Sequence, residues 1–378
     1  MSAPFARPER APAARPASSV RILFAGELWE GSDAYAYIRA MRRAHHAVTA
    51  ISADGYIGSG WRSAPLRVLR RALMPVFVRE YEQALVHLAE QTRPELFVGF
   101  KAPFVTRRAM RAIQNTGAVT INIYPDVSFT AHGKYLPTTL PLYDWVFTTK
   151  TFGLADMAAQ LGILAASFFP PAFDPEVHYP RPLSRADEER LGADVSFIGS
   201  WSPNKERLVS AVARALPDVR LRVWGNGWNR RLEPVLAPFV MNLPIIGADY
   251  AKAVCASAVN LGLVSELVTG ASSGDLITHR TIAMPACGGF MLHERTSEVT
   301  TLFEEDRECA LFGSEEELVA KVRYFLDNSG ERLAIAAAGH RRALASGYSV
   351  DDRAREVVAR YRKLRALRGR GRPGPAER

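Results

Sequence analysis

Polar residues stand just past the ends of apolar runs along this chain. Lys101 follows 96–100, Asp126 follows 119–124, and Lys150 follows 145–149. Glu294 and Arg295 follow the run 290–292, and the pair His279-Arg280 opens the stretch leading into it. Carboxylates and imidazoles so placed can move protons, and lysines and arginines can hold an anion. Open parallel sheets bind ligands at the carboxyl ends of their strands, so these residues are expected in a cleft.

Two series of elements would position them. Residues 20–25 read as a first buried strand, ending at Gly26 in the loop GELWEGS. Ser32 is the expected N-cap of a helix over 33–43. The loop has neither the Lys-Ser/Thr of a P-loop nor a GxGxxG spacing. It reads as either a plain turn or a backbone cradle. Strands are expected at 45–51, 96–100, 119–124, 145–149 and 167–169, separated by helices, which implies parallel βαβ units. Residues 61–87 read as a largely helical basic segment, interrupted by Pro75. Such a segment is either a solvated arginine face or a dock for an anionic membrane. A Pro- and charge-rich linker spans 173–190. A second series follows, with strands at 194–198, 219–224, 258–262 and 290–292, helices at 315–327 and 331–345, and a final helix. The expected division is therefore a disordered leader at 1–19, an N-terminal domain at 20–172 and a C-terminal domain at 191–348. A helix at 349–368 and a disordered basic tail at 369–378 complete it.

The 378 residues, 48% hydrophobic and 23% charged, describe a globular chain of two domains. No apolar run approaches a bilayer span. The terminal regions carry +8 of the net charge of +9: Arg7, Arg10 and Arg15 against Glu9, and seven basic residues in 362–378 against Glu377. The body is left near neutral, so no nucleic acid partner is expected. Cys255, Cys287 and Cys309 lack metal-ligand spacing and fit a reduced, cytoplasmic setting.

The segments VSFIGSWSPNKERL, LRVWGNGW and THRTIAMPACGGFMLHERTSEVTTLFEEDREC, in that order, resemble the CgeB-like (spore-maturation-type) branch of the group-1 glycosyltransferases. FKAPFV, NIYPD, YDWVFTTK and PPAFDPEVHYP in the first half are similar to it more loosely. The resemblance implies an α/β GT-B fold, two Rossmann-like domains facing across a cleft. It further implies a nucleoside-diphosphate sugar as donor on the C-terminal domain and an acceptor on the N-terminal domain, with neither metal nor cofactor. The donor site would comprise Gly199, Ser200, Lys205, Gly225, Asn226, Gly227, Asp275 and Arg280. Gly288, Gly289 and Phe290 would offer backbone N–H groups to the diphosphate, with Arg295 beside them. Gly26, Glu27 and Lys101 would face the acceptor. Asp126 and His132 are the base candidates, while Glu294 is the candidate to replace a missing carboxylate.

That absence is specific. The two glutamates of the group-1 pattern, eight apart, correspond here to Asp275 and Ala283. No Asp-x-Asp follows a strand, so cations are expected to stabilise the leaving diphosphate. Lys205, Asp275, Arg280 and Glu294 are expected to line one cleft beside Gly288-Gly289. The expected activity is glycosyl transfer to a polysaccharide, lipid-linked sugar or small-molecule acceptor. A silent nucleotide-sugar-binding or structural protein and a nucleotide-sugar 2-epimerase are the alternatives.

Overall fold

A computed structural model describes residues 18–57, 63–229 and 232–370. The leader expectation falls mostly on residues 1–17 and the tail expectation mostly on 371–378, outside the described residues. So do the first two residues of the expected segment 61–87.

The first half runs β1 (Arg21–Ala25), α1 (Asp33–Arg43), β2 (Ala47–Ile51), α2 (Ala64–Thr92), β3 (Leu96–Phe100), α3 (Arg107–Asn115), β4 (Val119–Tyr124), α4 (Leu136–Thr139), β5 (Trp145–Thr148), α5 (Phe152–Leu161) and β6 (Ala166–Phe168). The second runs α6 (Arg185–Leu191), β7 (Ala193–Ile198), α7 (Pro203–Ala215), β8 (Leu221–Trp224), α8 (Gly247–Cys255), β9 (Ser257–Gly262), α9 (His279–Ala286), β10 (Met291–Glu294), α10 (Val299–Leu302), β11 (Ala310–Phe312), α11 (Glu315–Asp327), α12 (Ser329–Ala345) and α13 (Val350–Arg370). The strands form two sheets ordered β2-β1-β3-β4-β5-β6 and β11-β10-β9-β7-β8. Every neighbouring pair is parallel.

Parallel strands covered by helices on both faces need apolar residues at nearly every position. All six residues of β4 are buried, and four of the five in β1. Clusters around Ile22, Phe24 and Val98 and around Leu23, Phe97 and Tyr143 cover the two faces of the first sheet. Clusters around Val195, Phe197 and Leu292 and around Ile282, Met291 and Leu311 do the same for the second. Ser32 caps α1 as expected, its hydroxyl accepting from the Tyr35 N–H.

Three elements differ from expectation. Pro75 does not interrupt α2, which runs through it, giving up one backbone donor. The second part of the expected linker folds into α6, closed by a capping box between Ser184 and Asp187. The last helix extends to Arg370 and returns to the first sheet, where Val350, Val357, Val358 and Tyr361 are buried beside Ile22 and Phe24. Each contributes roughly 1.5–3 kcal/mol of gross burial. Arg365 pairs with Glu95 at 2.7 Å and Arg368 donates to the Ala118 carbonyl at 3.1 Å, so part of the basic C-terminal region is structural. Among the described residues no helix is long and apolar enough to cross a membrane.

Candidate functional site

The sequence of β9, a long loop and α9 brings charge to the carboxyl edge of the second sheet. α9 starts at that edge, so Arg280 in its first turn points back across the strand ends. Its Nη2 donates to the Leu263 carbonyl at 2.7 Å, and its guanidinium lies 5.3 Å from the Phe197 ring centroid. A Cβ on Gly199 would meet the Arg280 Nη1 at 2.8 Å, so a glycine at the end of β7 lets the guanidinium lie against backbone. Burial lowers the Arg280 pKa, and its Nε has no hydrogen-bond partner. A half-buried, under-satisfied cation is what an incoming anion would complete.

Lys205 on α7 is buried behind it, donating to Ser265 Oγ at 2.7 Å and to the Ser200 carbonyl at 3.3 Å. Burial, reinforced by Arg280, brings its pKa down to about 8 against the pull of Asp275, Glu266 and Glu294. Glu294 is the last residue of β10 rather than a loop residue. Its carboxylate accepts the Val264 N–H at 2.6 Å and the Asn204 amide at 3.1 Å, and burial raises its pKa. Glu266 accepts the Asn204 N–H and so fills the start of α7. Asp275 reaches across to the first sheet, where its Oδ1 lies 2.5 Å from the Nζ of Lys150 just past β5. Lys150 also donates to the Ile277 carbonyl at 3.2 Å.

Between the two sheets lies a cavity of about 320 Å³. Lys150, His178, Tyr250, His279 and Arg280 line it, together with Asp33, 3.6 Å from His279, and Asp174, whose N–H donates to His178 Nδ1 at 2.9 Å. The His178 and His279 ring centroids are 5.0 Å apart, and burial, then His279, holds the His178 pKa well below 6.5. The Tyr250 hydroxyl is buried without a hydrogen-bond partner. The space thus joins apolar walls such as Ile198, Ile245 and Ile246 to the cations of Lys150 and Arg280.

A second cavity of about 350 Å³ belongs to the first half alone. Gly26, Glu27, Trp29, Tyr81, Lys101 and Asp126 line it. Lys101 and Ala102 both adopt left-handed backbone, with φ of 56° and 51°, which is costly for residues with a Cβ. That bend after β3 aims Lys101 at Asp126, 2.7 Å away, and His132 Nε2 lies 3.0 Å from the same carboxylate oxygen. Burial pushes the Asp126 pKa up, but the hydrogen bonds from His132 and Lys101 outweigh it and hold it at about 2. A carboxyl lowered from 3.8 to about 2 stabilises the fold above pH 3.8, and that contribution is lost as pH falls towards 2. Acid unfolding followed by circular dichroism should therefore be shallower across this window in Asp126→Asn than in the parent. Equal slopes would show that Asp126 is not held low.

Residues 203–359 match a family model described as glycosyl transferase-like. No curated protein matches. Among solved structures, sucrose-phosphate synthase from Thermosynechococcus elongatus superimposes with a TM-score of 0.65 at 13% identity, over 92% of this chain and 99% of that one. HepE from Anabaena in complex with UDP-glucose gives 0.58 at 14% identity, over 90% and 99%. A putative UDP-N-acetylglucosamine 2-epimerase from Listeria monocytogenes gives 0.55 at 10%, over 90% and 95%. The fold is GT-B.

Within this GT-B frame the expected donor residues separate into two groups. Lys205, Asp275, Arg280 and Glu294 do gather at one sheet edge, close enough to perturb one another electrostatically. Only Arg280 lines the cavity between the sheets; the others form the layer behind it. Gly288, Gly289 and Phe290 do not join them. They follow the end of α9, and the six helical residues after Arg280, at about 1.5 Å each, separate them from it. Gly289 is required by packing, since a Cβ there would lie 2.4 Å from Val254, and Phe290 is buried with its ring 4.6 Å from Phe325. Arg295 is likewise turned away and committed to Glu305 and Glu317. Gly225 has φ +143°, and a Cβ would come within 2.0 Å of the Gly199 carbonyl. With the Trp201 N–H donating to the Asn226 carbonyl at 2.8 Å, the stretch Gly225-Asn226-Gly227 braces the Gly199-Ser200 turn. Gly26, Glu27, Lys101 and Asp126 share the second cavity, with His132 bonded to Asp126 from outside its lining. The sequence reading noted Lys150 past a strand end but assigned it to neither the donor nor the acceptor site, and it singled out neither Tyr250 nor Glu266. Lys150 carried the same signal as Lys101, a lysine just past a strand.

Proposed function

We propose that the chain transfers a glycosyl group from a nucleoside-diphosphate sugar to an acceptor held in the Lys101–Asp126 cavity, without metal or cofactor. The observation that carries this is Arg280, half-buried in the first turn of α9, which lines the cavity between the sheets while its enclosed Nε has no hydrogen-bond partner. The diphosphate would lie against Arg280, Lys150 and His279, which offset the charge that develops on it as the glycosidic bond breaks. The acceptor hydroxyl would give its proton to Asp126 in an inverting reaction, and to the leaving phosphate in a retaining one. UDP-glucose bound to HepE supports a nucleotide-sugar donor on this fold. Membership of the CgeB-like branch, supported by the ordered motifs, and a cytoplasmic setting, supported by three unpaired cysteines, belong to the same proposal.

One observation favours a second reading, a binding protein without turnover. Ala283 is fully buried in the core beside Ile282 and Ile277, and Asp275 is occupied by Lys150, so neither position of the glutamate pair offers a free carboxylate. A panel of nucleoside-diphosphate sugars, scored by thermal shift, donor hydrolysis and product analysis, separates these readings. Transfer or hydrolysis is expected. Binding without turnover would select the silent protein, an epimeric donor the epimerase, and neither binding nor turnover would overturn the proposal.

A further inference from the structure

The loop after β1 presents a large aromatic ring that the core leaves half uncovered. In GELWEGS, Leu28 packs against the cluster of Ile22 and Phe24, while Trp29 beside it stays 46% exposed. The loop is nonetheless held in place. The Ser32 N–H donates to the Trp29 carbonyl at 3.1 Å and the Ser32 hydroxyl to the Glu27 carbonyl at 2.9 Å, and Gly31, at φ +91°, makes the bend. The indole N–H donates to Glu27 at 3.0 Å, so the polar edge of the ring is occupied and its apolar face is what remains. A lone exposed tryptophan needs no explanation, but this one lines the cavity of about 350 Å³ with Tyr81, Phe100 and Phe104. The charges in that cavity are one-sided. Glu27, Asp33, Asp54 and Asp126 line it, and Lys101 is the one cation among the described lining residues. Lys101 is itself engaged by Asp126 at 2.7 Å. Ionised carboxylates only accept hydrogen bonds, so a ligand here must bring donors, and a further anion is repelled. Gly31, Ser32, Asp33, Phe100 and Pro125 line both this cavity and the one between the sheets, so the two share a wall.

We propose that the acceptor is a saccharide without phosphate or carboxylate, one pyranose ring of which stacks on Trp29 and turns its hydroxyls to the carboxylates of the cavity. This rests on the glycosyl transfer proposed above and names its acceptor class. A pyranose has both features the cavity asks for, an apolar face of C–H groups and a rim of O–H donors. A phosphate-linked or uronic acid acceptor would instead place acceptor-only oxygens and negative charge among four carboxylates. The shared wall sets the stacked ring beside the donor cavity, with Asp126 in the same lining. There the hydroxyl oxygen forms its bond to the anomeric carbon as the bond to the diphosphate breaks, and its proton leaves by either route given above.

The test reads binding to the full-length chain by saturation-transfer NMR and calorimetry with no donor present, so it does not depend on turnover. The neutral probes are methyl glucoside, methyl galactoside and N-acetylglucosamine. Their anionic counterparts are glucose 6-phosphate, methyl glucuronide and N-acetylglucosamine 6-phosphate. A neutral probe should bind, and its anionic counterpart should bind about 100-fold more weakly, by a margin that widens at low salt. Trp29→Ala should weaken the neutral probe about tenfold, and Trp29→Phe should restore most of that. A phenyl ring keeps the stacking face but cannot donate to Glu27, so its rescue separates stacking from support of the loop. The double variant Glu27→Gln, Asp54→Asn should narrow the margin between neutral and anionic probes. No binding of any neutral probe, equal or tighter binding of the anionic ones, or unchanged binding by Trp29→Ala would overturn the proposal. So would binding of uridine or adenosine that depends on Trp29, since it would assign the ring to a base. Nucleoside-diphosphate binding, followed in parallel, keeps the two readings apart. A chain that binds nucleotide but no sugar loses this acceptor and keeps its donor site, whereas one that binds sugar but no nucleotide keeps the sugar site and loses the transfer reading.

Discussion

Arg280→Ala is expected to lower kcat/KM for a nucleoside-diphosphate sugar by about 10²–10³, the usual loss when one buried donor to a developing anion is removed. The guanidinium does two things in the resting site: it satisfies the Leu263 carbonyl and lies over Phe197. Its enclosed Nε has no hydrogen-bond partner, and the side chain lines the cavity with Lys150 and His279. A purely structural arginine would weaken binding of every nucleotide fragment alike. If it faces the diphosphate, titration calorimetry should show a large loss for nucleoside diphosphate and little change for the nucleoside. Arg280→Lys should recover only part of that loss, because an ammonium cannot reproduce the planar fork. Equal losses for both ligands would remove Arg280 from the donor site.

The contrast between Arg280 and the glycine turn shows where the sequence was legible. Helix, turn and strand were readable from apolar runs and small residues, because those patterns answer to local geometry and burial. So were α1 with its Ser32 cap, and β3 and β4 to the residue. Which end of an element faces the cleft depends on strand direction. In a parallel sheet the turn before β10 must lie at the edge opposite the one where Glu294 ends it. The motif THRTIAMPACGGFMLHE therefore contributes its first residues and its last to the cleft side, and its middle to packing. Long-range pairings left no local trace. Nothing around Val350 announces that α13 covers Ile22 and Phe24, and nothing around Pro75 shows that α2 continues through it.

Lys150 was the residue whose position was readable and whose partner was not. It follows β5 as Lys101 follows β3, yet its ammonium points away from its own sheet to Asp275 at 2.5 Å and the Ile277 carbonyl at 3.2 Å. Both side chains are largely buried, 7% and 12% exposed. Breaking such a pair from one side leaves an uncompensated charge, which costs about 3–5 kcal/mol, whereas replacing both members with apolar residues is often near neutral. Lys150→Met is therefore expected to destabilise the chain by about 3–5 kcal/mol in urea unfolding. Adding Asp275→Leu should recover most of it, giving a coupling of at least about 2 kcal/mol in the double-mutant cycle. The pair ties the end of β5 to the loop before α9, the loop that sets Arg280 at the cavity. A stable double variant should consequently keep its fold while losing donor affinity, because Lys150 also lines that cavity. Additive single costs would mean that the two sheets are held together elsewhere. Full donor affinity in the double variant would mean that the loop holds Arg280 in place without Lys150.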